Sequence, residues 1–318
     1  MPTPFNKPRN AERGARKGEW AARTNTPKSS VFGNYRAGNS CGSLAEPADV
    51  AESAQSPPSS NFAACDRTVL QSAIDIAMAR SFIYRLLAVA YEDPTPSSWQ
   101  WLCAPGTQTS FQSACGIVVP AGATSVTFAP AAFDSFLDAY LAVFGHAARG
   151  SCPLNEIEYG DIKADPLFQP HRLADLAAFY RAYGLEIASD AGERHDHLCL
   201  ELEFMCVLAA KETFGLQHQI HAGLLEQCRD AQKNFLREHL GRWTPALTRR
   251  LEAAANDATL RALAGFTRAV VESECRRFGV NPGSEELALR PVDETADRMC
   301  DSCGINNLPP GALGGAVT

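Results

Sequence analysis

Apolar residues recur at helical spacing through most of the chain. In DRTVLQSAIDIAMARSFIYRLLAVAYEDP, the residues Leu70, Ile74, Ala77, Met78, Ser81, Ile83, Leu86 and Leu87 fall near one helical stripe. Asp66 stands where an N-cap would, and Pro94 stops the segment. A loop containing CAPGTQTS and VVPAGATS is expected next. APAAFDSFLDAYLAVFGH then reads as a helix closed by Gly145, and DPLFQPHRLADLAAFYRAYG as one closed by Gly184. Residues 193–215 and 217–240 predict two further amphipathic helices. TPALTRRLEAAAND and DATLRALAGFTRAVVESECRRFG supply two more. Alternating Val/Ile/Thr runs are nearly absent, so strands are not expected. The fold class is all-α: a single helical-bundle domain of about eight to ten helices with short connections.

The pattern fades at both ends. Residues 1–64 are rich in Ser, Pro, Ala, Asn and Gly and read as a disordered basic, low-complexity extension. The helical domain is expected over 65–280. Residues 281–318 carry Pro and Gly without helical period and read as an irregular tail. No run approaches the roughly 18 apolar residues of a membrane span. No export signal is recognised either, because the first apolar run lies near residue 69. The expectation is a cytoplasmic protein.

Charge narrows the partners. Residues 1–36 hold eight Lys/Arg against two Asp/Glu, a net of +6; with −7 overall, residues 37–318 carry −13. An acidic body is a poor nucleic-acid binder and suits an Arg-rich peptide. The eleven cysteines are odd in number and scattered, which points to reduced thiols rather than a disulfide scaffold. Only Cys300 and Cys303 form a CxxC pair, two ligands where zinc or an iron–sulfur cluster wants four.

Two short stretches concentrate polar chemistry. In ERHDHLCLELEFM, read as helix, Glu193, His197 and Glu201 share one stripe, with Asp196 and Glu203 on the next. Carboxylates one turn either side would raise the pKa of His197. Leu198, Leu202, Met205 and Ala209 form the inward face. In CPLNEIEYG, Glu156 and Tyr159 stand three apart and can share a face. No Glu-x-x-His, His-Glu-x-x-His, nucleophile elbow or phosphate-cradling loop accompanies either stretch. A solvated polar face, a recognition patch and acid–base work are all open at this level, and recognition fits better than catalysis.

The order of these features resembles the TorD/DmsD/NarJ-like redox-enzyme maturation chaperones. ARSFIYRLLAVAYEDP looks like their first helix, CPLNEIEYG like their Pro-x-x-Glu-x-x-Tyr segment, and DHLCLELEFM like their Asp-His helix. The likeness covers roughly residues 68–280. It implies an all-helical, cytoplasmic protein that is not an enzyme and holds no cofactor of its own. The implied client is the catalytic subunit of a molybdenum-cofactor oxidoreductase of the dimethyl-sulfoxide-reductase type. The chaperone would hold that subunit, or its twin-arginine signal peptide, until cofactor insertion. Carried over by position, the binding residues are Glu156, Tyr159, Asp196, His197 and Glu201. A homodimer exchanging helices would hinge around Gly150–Asp165. The rival reading is a helical metal-binding enzyme using His195, His197 and Glu201 with Cys300 and Cys303.

Overall fold

The computed structural model describes residues 60–145, 150–160, 168–187 and 193–290. Among them lie nine α-helices: α1 Ser60–Tyr91, α2 Pro96–Cys103, α3 Pro105–Val118, α4 Phe133–Phe144, α5 Phe168–Ala182, α6 Leu198–Gln217, α7 Ala222–Glu238, α8 Leu240–Ala254 and α9 Ala258–Phe278. No strand occurs among the described residues, only two isolated bridges. The all-α expectation holds. No described helix is long and apolar enough to cross a membrane.

Helix α6 is the axis of the bundle. Leu198, Leu200, Leu202, Phe204, Met205 and Leu208 are all 0% exposed, and Glu201, Glu203 and Glu212 are buried with them. From Leu198 to Ala209 it is therefore covered on nearly every side, not amphipathic as its sequence suggests, and only its last turns, with Lys211 and Phe214, are exposed. Helix α1 runs antiparallel along it: Ser81 Oγ donates to the Cys206 carbonyl, and Arg85 pairs with Glu203 one turn further on. Met78, placed on the inward stripe by periodicity, is instead 54% exposed. Helix α9 closes the far side. Its N-cap is Asp257, whose carboxylate accepts the Leu260 N–H, and Gly279 ends it at φ +64°. These are the stop and start signals the sequence displays.

At the crossing of α1, α6, α7 and α9 sits a buried guanidinium. Arg80 is 2% exposed. It donates to both Glu274 oxygens at 2.9 and 2.8 Å, to Glu212 at 2.8 Å and to Gln232 at 2.5 Å. The Tyr84 hydroxyl completes the Glu274 shell, and the Phe278 ring lies 5.0 Å from the guanidinium carbon. A buried charge persists only when its donors are used up like this.

Several boundaries differ from the sequence reading. Helix α1 begins at Ser60 and runs through Asp66, so Asp66 does not stand at its N-terminus. CAPGTQTS is not a loop. Thr95 forms a capping box at the start of α2, and Pro105 occupies the first turn of α3, where no backbone N–H is needed. Phe111, Ala114 and Val118 then bury one face of α3. Helix α8 starts four residues before Thr244, so Pro245 lies inside it. The carbonyl of Gly241 thereby loses its helical donor, and the Gly283 N–H takes that place at 2.9 Å.

Residues 281–290 are irregular, yet they lie back on the domain as a strap. Gly283 passes so close to α8 that a Cβ there would meet the Arg242 carbonyl oxygen at 1.8 Å. Cys300 and Cys303, with the basic N-terminal segment, fall outside the described residues.

Candidate functional site

The CPLNEIEYG segment turns through a 3-10 helix at Glu156–Glu158 and is paired on both sides. On one side the Glu156 N–H donates to the Asp196 carbonyl and the Leu198 N–H to the Leu154 carbonyl, at 2.9 and 2.8 Å, forming the Asn155–His197 bridge. On the other side the Gly160 N–H donates to Ala288 and the Arg290 N–H to Glu158, at 3.0 and 2.9 Å, forming the Tyr159–Leu289 bridge. The two polar stretches, distant in sequence, are laced together by backbone.

Glu156 is 0% exposed. One oxygen meets His239 Nδ1 at 2.8 Å, and the other accepts from Arg242 at 3.0 and 3.2 Å. Arg172 lies 3.9 Å away. Burial pushes this carboxyl up, but His239, Arg242 and Arg172 outweigh it and hold it below the usual range. The second ring nitrogen of His239 faces Asp175 at 3.2 Å. The imidazole thus links a half-exposed carboxylate on α5 to a buried one in the turn. Phe179 and Phe235 flank it.

Asp196 is equally buried. It accepts from the Ile157 N–H at 3.1 Å and from Asn155 Nδ2 at 3.2 Å, and Arg194 forks onto it at 2.8 and 3.0 Å. Tyr159 donates its hydroxyl to the Pro153 carbonyl at 2.9 Å, and its ring lies 5.2 Å from that of Trp243. Glu201 accepts from Trp243 Nε1 at 3.1 Å, while its other oxygen has no hydrogen-bond partner. Burial, with the negative charge of Glu156 added, pushes the Glu201 carboxyl well above the usual range. The two carboxyls are thus pushed in opposite directions, Glu156 toward its charged form and Glu201 toward its neutral one.

The Asp-His stretch departs from its expected form. Residues 193–197 precede the helix, so the stripe of Glu193, His197 and Glu201 does not exist. His197 is the N-cap: its Nδ1 accepts the Cys199 N–H and lies 2.9 Å from Cys199 Sγ. Its pKa is lowered to about 4, not raised. Burial of the ring outweighs Glu193 and Asp196, and a protonated Nδ1 could no longer serve as the cap.

All five residues expected to bind a client are therefore brought into one region. Glu156, Tyr159, Asp196 and Glu201 are, however, each 0% exposed, and their side chains bond to neighbouring groups of the domain, Glu201 through one oxygen only. In this conformation they shape a surface rather than line it. Their partners Arg172, Asp175, Arg194, His239, Arg242 and Trp243 were not anticipated. The run REHLGRW, which packs cations, an imidazole and an indole ahead of an apolar stripe, is the signal that marks three of them.

The metal reading gains no geometry. The His195 ring is exposed and lies parallel to that of Tyr180, His197 caps a helix, and Glu201 holds an indole. Among the described residues no three His, Cys, Asp or Glu side chains stand where they could share a metal.

The family described as Nitrate reductase delta subunit matches residues 119–249. The chain is 28% identical over 194 residues to the perchlorate reductase assembly chaperone protein of Dechloromonas aromatica (strain RCB), covering 58% of this chain and 83% of that protein. It is 37% identical over 81 residues to the selenate reductase assembly chaperone protein of Thauera selenatis, covering 26% and 40%. Against the chlorate reductase assembly chaperone protein of Ideonella dechloratans it is 32% identical over 110 residues, covering 35% and 54%. Over these stretches the chain is similar to the Nitrate reductase delta subunit family and to reductase assembly chaperones, in line with its resemblance to the TorD/DmsD/NarJ-like chaperones.

Proposed function

We propose that this protein is a cytoplasmic chaperone dedicated to one molybdenum-cofactor oxidoreductase of the dimethyl-sulfoxide-reductase type. It holds the catalytic subunit, or that subunit's twin-arginine signal peptide, until the cofactor is inserted. The relatives are named as assembly chaperones of perchlorate, selenate and chlorate reductases, which supports a client of that class and a role other than catalysis.

The observation that carries the reading is the buried cluster joining Glu156, Asp196 and Glu201 to the turn at Tyr159. It holds a recognition surface in shape and exposes no reacting group. Cys199 and His197 are in contact, but burial drives the thiol well up and the imidazole down. That is the reverse of an activated thiolate–imidazolium pair.

The test is recovery of a partner. The full-length chain, purified from cells expressing its client, should carry a molybdenum-enzyme catalytic subunit identifiable by mass spectrometry. Recovery of no such subunit under those conditions overturns the reading. A client signal peptide should also bind in a salt-sensitive way. The triple variant Glu156→Gln/Asp196→Asn/Glu201→Gln should bind it more weakly in calorimetry, because the Glu156 and Asp196 charges that hold the turn are lost and the Glu201 carboxyl with them. Equal affinity removes the cluster from the recognition role.

A further inference from the structure

The strap at residues 284–290 occupies the outer edge of the motif turn, and it does so in the way an added peptide would. Its contact with the turn is main chain to main chain: Gly160 N–H to the Ala288 carbonyl, and Arg290 N–H to the Glu158 carbonyl. Such pairing is indifferent to side-chain identity and can be taken over by any extended segment. None of the strap's residues is buried. Leu287 and Leu289 only partly pack against the core that contains Tyr159 and Trp243. Its side-chain anchors include an exposed Arg249–Glu286 pair and the Arg250 contact to the Leu287 carbonyl, while Gly283 fixes its start on α8 and Arg290 is engaged at its end. A segment held this way sits at the low end of local stability.

Its sequence also has a telling chemistry. Leu287, Ala288 and Leu289 lead into Arg290, whose Nη1 is buried against the domain. The turn it pairs with carries the Glu158 carboxylate. We infer that residues 284–290 are a built-in stand-in for an Arg-bearing, partly apolar extended peptide. The true occupant displaces the strap and pairs with Glu158–Gly160 by strand addition. This inference rests on the client reading above and extends it: the binding edge is the outer side of the turn, and the free protein keeps it covered.

Hydrogen exchange on the full-length chain tests this. The probe is a synthetic peptide with consecutive arginines followed by an apolar run. On saturation, the amides of residues 284–290, Arg290 included, should exchange faster, while the Gly160 N–H keeps its protection through a new carbonyl. A full-length Leu287→Ser/Leu289→Ser variant should bind the same peptide about tenfold more tightly, the factor expected if the strap covers the edge about nine-tenths of the time. Binding of equal strength to both proteins, with strap exchange unchanged, overturns the strap inference and leaves the chaperone reading standing. Binding to neither, with the variant's melting curve matching wild type, overturns the strap inference together with the signal-peptide arm of the chaperone reading.

Discussion

Burial and the nearby Glu156 push the Glu201 carboxyl up inside the helix bundle, and that has a measurable sign. Its folded pKa lies well above the ordinary 4.5, so the native state holds a proton that the unfolded chain releases. Stability from this group is complete below about pH 4.5 and is lost as pH rises toward the folded value. Glu201→Gln keeps the Trp243 contact and removes the titration. In urea unfolding, its stability relative to wild type should therefore grow with pH, by up to about 1.4 kcal/mol per unit. His197 runs the other way. Its folded pKa of about 4 lies below the usual 6.5, so its contribution is complete above 6.5 and is lost as pH falls toward 4. His197→Asn, still able to cap α6, should remove about 2 kcal/mol of the stability change between pH 7 and pH 5. Neither behaviour was legible beforehand. Reading the stretch as continuous helix put carboxylates around His197, whereas burial, which sequence spacing does not encode, decides its proton.

At the scale of elements, the strap is coupled to a proline. Pro245 strips α8 of one N–H, and Gly283 supplies it from outside. Gly283→Ala would drive a Cβ into the Arg242 carbonyl, so the strap must lift. The expected cost is about 1–3 kcal/mol. The local signature is faster exchange at the Gly160 amide; unchanged exchange there would break the link between anchor and edge. Helix ends were legible where local chemistry sets them, as at Gly145, Gly184, Asp257 and Gly279. They were missed where tertiary partners compensate. Pro245 looked like a helix start because its missing donor is replaced from a segment that shows no pattern of its own. The Glu156 partners were missed for the same reason: His239 and Arg242 stand more than eighty residues away in sequence.

For the molecule as a whole, Arg80 is the joint. It ties α1 to α6, α7 and α9 with no water-exposed surface to relax into. Arg80→Ala leaves the Glu274 and Glu212 charges buried and is expected to cost about 3–5 kcal/mol in denaturant unfolding. A loss below about 1 kcal/mol would mean that solvent reaches the joint. The all-helical architecture was readable from periodicity. The joint was not, because a lone arginine on an apolar stripe looks like a surface residue.

The Arg80–Glu274 bond also spans 194 positions of chain. A protein made from its N-terminus forward must carry that guanidinium without its main partner until nearly the whole domain has left the ribosome. The bundle therefore locks late, and the strap, synthesised later still, covers the turn last. Each newly made molecule therefore passes through a period when the outer edge of the turn is open.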